Sequence, residues 1–268
     1  MGARVDRMSA TGTYVYCLVA AERKPSLGRR RPQLPGMGPL RLIEAGRRRG
    51  GVGRWLVVAD APMSRFSADE INRKLGDLNW VSRAAIAHET IVESFRSARA
   101  VVPMKFLTIF SSDERAHAEI AANERRVSEA ITRVAGRDEW GVRVTLDRAR
   151  AAASDAKTAP ASRATGSDYL RRKKAARDHD VELSARARRV VGELYDRLAP
   201  RASEARRRTG GDLPMADGPL LLDAAFLVPR ARTKSFNALV AREARALAPQ
   251  GYQVVVTGPW PPYTFVKD

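Results

Sequence analysis

The side chains best suited to chemistry in this chain are three histidines and the glutamate that follows one of them. The run His88-Glu89-Thr-Ile-Val92 begins like the His-Glu-x-x-His motif, in which two histidines one helical turn apart bind zinc and the glutamate acts as a base. Val92 stands where the second histidine is needed, so the motif fails. His88 falls on an apolar helical stripe, which predicts a core histidine, and His117 and His179 fall in charged helices.

Motifs for phosphate binding and nucleophilic catalysis are also missing from the sequence. The glycine pairs at 36–38 and 51–53 are too short for a dinucleotide fingerprint, and neither a Gly-x-x-x-x-Gly-Lys loop nor a Gly-x-Ser-x-Gly turn occurs. The one cysteine, Cys17, falls in an apolar strand pattern and is expected to be a small core residue. The sequence therefore predicts a non-enzymatic protein with no catalytic residue, no metal ligand and no cofactor. An enzymatic alternative would need a deep pocket with paired titratable groups.

The segment 258–268 combines three prolines and three large aromatic residues directly after a strand pattern at 252–257. Proline lacks a backbone donor and restricts φ, so we expect the strand to stop at residue 257. In a chain with 6% aromatic residues, this composition predicts a docked end. Two interpretations stay open: an arm packed on its own domain, or a docking element for another protein. The candidate partner-binding residues are Trp260, Pro261, Pro262, Tyr263, Phe265 and Phe106.

Hydrophobic periodicity and capping signals predict an N-terminal half of mixed helix and strand. Its predicted elements are a central strand at 14–19, a hairpin of strands at 40–43 and 55–59, a helix from Ser67, a helix at 77–98 with Leu78 on its apolar stripe, an edge strand within 101–110, and a helix from Ser111 to about residue 135 that ends at Gly136.

The C-terminal half reads strand, long helix, strand, helix, strand. Its predicted elements are a strand at 140–146, a helix at 168–199 whose polar first half projects into solvent, a weak strand within 202–209, a strand at 220–228, a helix at 233–247 and a strand at 252–257. With the weak strand included, the order is βαββαβ, which is that of a ferredoxin-like fold. We therefore predict an α+β protein of two domains: an N-terminal α+β domain at 1–136, and a modified ferredoxin-like domain at 137–268 with a long projecting helix and an aromatic C-terminal arm.

The formal net charge of +18 raises the alternative of a basic nucleic-acid-binding protein. The charge is spread evenly, because residues 1–136 carry 23 basic and 14 acidic side chains and residues 137–268 carry 25 and 16. Nucleic-acid-binding arms concentrate their charge in one block. This distribution argues against a nucleic-acid partner.

Neither a membrane span nor a secretory signal is expected. No stretch reaches the roughly 18–20 consecutive apolar residues that a membrane helix needs, and the first 13 residues contain no apolar segment. A single cysteine excludes an internal disulfide framework. We expect a cytoplasmic protein that does not contact the membrane.

Several stretches, in order along nearly the whole chain, resemble the gas vesicle protein L/F family (GvpL/GvpF). They are Tyr14-Val-Tyr-Cys17, Leu56-Val-Val-Ala-Asp60, Leu75-Gly-Asp-Leu-Asn-Trp80 with His88-Glu89, Val102-Pro-Met-Lys-Phe106 with Thr108-Ile-Phe110, Glu139-Trp-Gly-Val-Arg-Val144, Leu222-Asp-Ala-Ala-Phe-Leu-Val228 and Gly258-Pro-Trp-Pro-Pro-Tyr263. Three residues depart from the family pattern: Met104 and Lys105 replace the usual Leu-Arg, and Leu107 replaces the usual glycine.

The resemblance implies a non-enzymatic accessory protein that takes part in gas vesicle formation. It implies two α+β domains, the second modified ferredoxin-like. It also implies that the protein binds the small hydrophobic shell protein (GvpA) and other accessory proteins during nucleation or assembly, in the cytoplasm and in association with the vesicle. A role as a minor shell component is also implied.

Overall fold

The computed structural model describes residues 11–28, 34–47, 51–151, 168–208 and 219–266. The chain falls into two compact units: Met1–Asp138 together with Trp260–Asp268, and Glu139–Pro259. The last nine residues therefore group with the N-terminal unit, whereas the division made from the sequence assigned them to the C-terminal one.

An antiparallel sheet in the order β2-β3-β1-β4 forms the centre of the first unit, and β5 also pairs with β1. Its strands are β1 (Thr11–Ala21), β2 (Leu40–Arg47), β3 (Gly53–Pro62), β4 (Ala100–Pro103) and β5 (Ile109–Phe110). β1 is buried on both faces, as its apolar alternation predicts for a central strand. The predicted hairpin of β2 and β3 is confirmed.

The described part of this unit also contains the helices α1 (Met63–Phe66), α2 (Ala68–Lys74), α3 (Leu78–Glu93), α4 (Asp113–Ala122) and α5 (Glu124–Val134). Ser67 caps α2 as predicted, because its hydroxyl accepts a hydrogen bond from the Glu70 amide. The cap of α4 is Ser112, one residue later than the predicted start at Ser111. Gly136 has a φ of 68° just beyond α5, the left-handed conformation expected at a helix C-terminus.

The buried face of α3 differs from the predicted stripe at its beginning. Ala84, His88, Ile91 and Val92 are buried, but Leu78 is 79% exposed. Leu78 therefore lies outside the core, and the helix ends at Glu93, five residues before its predicted end.

The second unit contains a four-stranded sheet in the order β7-β8-β6-β9. Its main elements, in chain order, are β6 (Arg137–Leu146), α6 (Asp168–Leu198), β7 (Glu204–Arg207), β8 (Leu220–Pro229), α7 (Thr233–Leu247) and β9 (Tyr252–Trp260). Residues 148–151, just after β6, are also helical. The weak strand predicted within 202–209 is confirmed as β7, which pairs antiparallel with β8. The predicted projection of the first half of α6 concerns side chains outside the described residues.

Alternate residues of the central strands β6 and β8 build the core of the second unit against α6 and α7. Val142 and Phe226 are fully buried in it, together with Leu194 of α6 and Val240 of α7. A tight turn at Gly251 leads into β9. Its φ is 86° and a Cβ there would lie 2.7 Å from the Asp147 carbonyl oxygen, so the turn requires glycine.

β9 extends three residues beyond its predicted end at 257. Pro259 removes one backbone donor, but its restricted φ is compatible with extended backbone, so a single proline does not stop the strand. The strand ends only at the pair Pro261 and Pro262. No helix among the described residues is long and apolar enough to span a membrane.

Candidate interaction site

An open, largely apolar groove of about 620 Å³ lies on the first unit. Four segments form it: the end of β4 with the loop at 104–108, the C-terminal part of α4, the middle of α5, and the C-terminal arm (260–266). Its lining residues are Val102, Pro103, Met104, Lys105, Thr108, Glu119, Ile120, Asn123, Arg126, Val127, Ala130, Tyr263 and Val266. The groove is therefore lined by the C-terminal arm, which the sequence indicated as a candidate binding segment, and by α4 and α5, which the sequence did not indicate as part of a binding site.

The C-terminal arm is docked on the first unit. Pro261 and Pro262 are buried, and residues 263–265 form a short 3₁₀ turn whose Phe265 side chain is fully buried. The Arg133 guanidinium of α5 donates a hydrogen bond to the Phe265 carbonyl oxygen at 3.2 Å. The arm therefore packs within the chain, and its contacts are with the N-terminal unit instead of the C-terminal half to which the sequence assigned it.

The six candidate partner-binding residues have different environments. Pro261, Pro262 and Phe265 are buried, so a partner cannot contact them unless the arm moves. Tyr263 packs on the core and lines the groove, and Trp260 is 39% exposed. Phe106 is half-buried with its ring edge-on to His88, 5.8 Å between centroids.

A buried hydrogen-bond chain holds the loop at 104–108 against β1. The Leu107 amide donates to the Tyr14 hydroxyl at 3.2 Å, and that hydroxyl lies 2.7 Å from Nδ1 of His88. Which of these two atoms donates the shared proton is set by the tautomer of the His88 ring. Burial raises the pKa of the Tyr14 hydroxyl, so it stays protonated.

His88 is a neutral structural residue of this chain of contacts. It is 3% exposed and stacks on Tyr16, with 5.4 Å between ring centroids. Burial lowers the pKa of His88 to about 4, and hydrogen bonding with the Met104 main chain only partly offsets that effect. The prediction of a core histidine is confirmed.

Main-chain bonds complete the attachment of the loop. The Met104 amide donates to the Tyr16 carbonyl at 3.0 Å, and the Val15 amide donates to the Thr108 carbonyl at 2.9 Å. Both ends of the loop are thus tied to β1, so the groove wall that carries Met104 and Lys105 is fixed in place.

Tyr263 of the arm has its hydroxyl in a buried setting near the carboxylate of Glu89. Burial, and secondarily the Glu89 carboxylate, raise the pKa of Tyr263. The phenol is therefore neutral at physiological pH. Its ring presents an apolar surface to the groove while its polar end faces the interior.

Ion pairs anchor the two helices that form the opposite wall. Arg54 is 4% exposed, and its guanidinium donates to Glu124 at 2.7 Å and to Ser128 at 3.0 Å, which ties the first turns of α5 to β3. Arg41 bridges Asp60 and Asp113, so the N-terminus of α4 is tied to the sheet. Hydrogen bonding from Arg41 lowers the pKa of Asp113.

The rim of the groove carries both signs of charge around an apolar floor. Lys105 and Arg126 are exposed, and Glu119 accepts a hydrogen bond from the Asn123 side chain at 2.8 Å. Val127 and Ala130 are half-buried on one face of α5. The i, i+3 spacing of these two apolar residues is the sequence feature that could have indicated this wall. The same spacing more often marks a helix face packed in the core, so it does not by itself predict a groove.

The described residues contain no group of three or more His, Cys, Asp or Glu side chains placed to hold a metal ion. The geometry of this site is that of a fixed apolar surface with a mixed-charge rim. Such a surface fits the side chains of another polypeptide.

Comparison with known proteins gives one consistent family. A model of the family described as "Gas vesicle synthesis protein GvpL/GvpF" matches residues 12–267. The chain is 32% identical over 214 residues to gas vesicle protein L of Streptomyces sp. (strain CB03234), covering 78% of each protein.

Two crystal structures share the fold. Gas vesicle protein GvpF from Anabaena sp. PCC7120 superimposes with a TM-score of 0.65 at 17% identity, covering 96% of this chain and 97% of that one. GvpF from Microcystis aeruginosa gives a TM-score of 0.64 at 16% identity, covering 96% and 99%.

Proposed function

The chain belongs to the GvpL/GvpF family of gas vesicle synthesis proteins, and from this premise we propose that it is a non-enzymatic accessory protein that binds the small hydrophobic shell protein (GvpA) during shell nucleation or assembly. The proposal includes contacts with other accessory proteins, a cytoplasmic, vesicle-associated location, and retention as a minor shell component.

The observation that carries the proposal is the apolar groove bounded by the C-terminal arm. A very apolar subunit loses free energy when its surface leaves water, at roughly 25 cal/mol per Å². A groove floored by residues such as Met104, Val127 and Tyr263 offers that burial before the subunit polymerises. The mixed-charge rim of Lys105, Arg126 and Glu119 would orient the polar ends of the bound segment.

The groove walls are rigid, which lowers the entropic cost of binding. The Tyr14–His88 bond fixes one wall, and the buried Arg54 guanidinium fixes the other. A preformed site binds without ordering its own loops first. This supports recognition by the groove as it stands, with the arm in its docked position.

Co-expression with the small shell protein, followed by pull-down, tests the proposal. Val127→Asp places a carboxylate in the apolar wall, and an unpaired charge in a dry contact costs at least ~1.4 kcal/mol, so recovery of the shell protein should fall about tenfold or more. Thermal unfolding of the variant establishes that it is folded.

Ile86→Asp is the matched control. Ile86 is 65% exposed in the middle of α3 and does not line the groove, so the same substitution there should leave recovery unchanged. Equal recovery with both variants would locate the binding surface elsewhere. Failure of the unmodified protein to bind the shell protein or any other vesicle protein would contradict the proposed function itself.

We propose further that the two units are separate domains, with a boundary near residue 136 and with the C-terminal arm belonging to the first domain. We also propose that the second is a modified ferredoxin-like domain. Its strand order β7-β8-β6-β9 and the positions of α6 and α7 in the chain support this, since the ferredoxin-like βαββαβ unit places its first and third strands in the centre. A fragment of residues 139–259 should then unfold cooperatively by circular dichroism. A fragment without a cooperative transition would count against it.

A further inference from the structure

The two edges of the sheet in the second unit differ in their protection against pairing. The β7 edge is four residues long, and three of them are charged, which are two devices that blunt an edge. The β9 edge is nine residues long, and Tyr252–Trp260 contains no charged residue. Val255 is 42% exposed and Val256 is 36% exposed. Among the described strands, β9 is therefore a sheet edge that contains no charged residue.

Three contacts define how β9 lies along β6. The Asp147 amide donates to the Gly251 carbonyl at 2.9 Å, the Thr145 hydroxyl lies 3.5 Å from the Gln253 side-chain oxygen, and a Cβ on Gly141 would lie 2.6 Å from the Thr257 hydroxyl. Each step back along β6 matches a step forward along β9. The two strands are therefore antiparallel.

This register determines which main-chain groups of β9 face outward. The bond at Gly251 makes it a hydrogen-bonded position, and such positions recur at every second residue of an antiparallel pair. Residues 253, 255 and 257 thus point their N–H and C=O groups toward β6. Val254 and Val256 point theirs away from the sheet.

We propose that this edge pairs with the same edge of a second copy of the chain, forming a two-fold symmetric dimer with Val255 on the axis. Antiparallel pairing about Val255 places Val254 opposite Val256 of the other copy, and both residues offer outward N–H and C=O groups. It also places Gln253 opposite Thr257, polar against polar. The segment Gln253-Val-Val-Val-Thr257 is thus complementary to itself in both hydrogen bonding and side-chain type.

Because β9 contains no charged residue, a second copy of the chain can pair with it without placing like charges opposite each other. Two chains of net charge +18 repel each other, and a contact strand with lysine or arginine would set like charges directly opposite. Pairing through an uncharged strand avoids that local repulsion. The remaining long-range repulsion is screened at moderate salt, so the dimer should strengthen as salt is added.

Sedimentation equilibrium of the intact protein at about 0.3 M salt is the first test. We expect a monomer–dimer equilibrium. Val255→Lys should weaken it at least about tenfold, because two lysines would face each other on the axis. Val181→Lys is the matched control, since Val181 is 64% exposed on α6 and should leave the equilibrium unchanged. A protein that stays monomeric, or a dimer that Val255→Lys leaves unchanged, overturns the proposal.

Cysteine cross-linking tests the register and stays decisive if Val255→Lys fails to fold. The native Cys17 is fully buried, so any disulfide between two copies must form through the introduced cysteine. Residues facing each other at a non-hydrogen-bonded position have Cα atoms about 4.5 Å apart, within disulfide range. Val255→Cys should give a disulfide-linked dimer, while Val256→Cys, displaced by two residues from its own counterpart, should not. No linkage at residue 255, or equal linkage at both, overturns the proposed pairing.

Discussion

Leu107 has a φ of 64°, a left-handed conformation that costs a side chain with a Cβ about 1–2 kcal/mol and costs glycine nothing. At this position the GvpL/GvpF family segment that this loop resembles usually has glycine. The Leu107 amide is bonded to the Tyr14 hydroxyl, so the surrounding contacts impose this backbone conformation.

The strain at Leu107 predicts that a glycine variant is more stable than an alanine variant at this position. Leu107→Ala keeps the Cβ and loses the packing, whereas Leu107→Gly loses the same packing and relieves the strain. We expect the glycine variant to be more stable than the alanine variant by about 1 kcal/mol, the reverse of the order in helices. Denaturant unfolding of the two variants measures this difference. An alanine variant as stable as the glycine variant would refute the strain argument.

The buried His88 predicts a pH-dependent stability. The pKa of His88 is about 4 in the folded protein, against 6.5 for an ordinary histidine, so between these limits the unfolded chain binds more protons. The stability is complete above pH 6.5 and falls as the pH is lowered toward 4. The loss from this group is about 3 kcal/mol.

His88→Gln should remove this part of the decline between pH 7 and pH 4.5. His117→Gln is the control, because His117 is exposed and the variant should keep the decline of the unmodified protein. Unfolding free energies at the two pH values make the comparison. A His88→Gln protein with an unaltered decline would show that burial of His88 does not govern it.

At the scale of elements, the C-terminal arm has divided roles. Phe265 anchors it in the core, Tyr263 presents a ring to the groove, and Trp260 is 39% exposed at the end of β9. Because Phe265 is the fully buried aromatic residue of the arm, we expect it to contribute more to stability than Trp260.

Phe265→Ala should lower the free energy of unfolding of the first unit by about 3 kcal/mol, since it empties a fully buried site. Trp260→Ala should cost clearly less. Denaturant unfolding of the two variants, followed by circular dichroism, measures both losses. If the two alanine variants lose equal stability, the arm is not anchored mainly through Phe265.

At the scale of the whole molecule, the net charge of +18 is partly structural. Arg54 is buried against Glu124, Arg41 bridges two aspartates, and Arg208 lies between Glu139 and Asp223. These guanidinium groups hold elements together. The remaining positive charge predicts attraction to polyanions without a shaped site to read their sequence.

We therefore expect nucleic-acid binding that lacks sequence preference and weakens at least about tenfold between 0.05 and 0.2 M salt. Fluorescence anisotropy with unrelated duplexes of equal length measures both properties. Tight binding that survives physiological salt, or a preference among the duplexes, would support the alternative of a nucleic-acid-binding protein.

Much of the fold could be predicted because its signals are local. The apolar alternation of β1, the cap at Ser67 and the glycine after α5 each depend on a few neighbouring residues, and each was confirmed. The exposed Leu78 was not predictable, because its apolar side chain satisfies helical periodicity whether or not a partner covers that turn. The site was predicted only in part, since Tyr263 was named and the α4–α5 wall was not.

The sequence by itself determined the class of protein, the order of most elements and the presence of a docked, aromatic end. Only the tertiary structure decided where that end docks, which aromatic residue anchors it and which surface it borders. The deciding contacts join residues far apart in the chain: Tyr14 with His88, 74 positions apart, and Arg133 with Phe265, 132 apart. Local propensity acts over a few residues, so it predicts that an apolar side chain needs a partner and does not identify the partner.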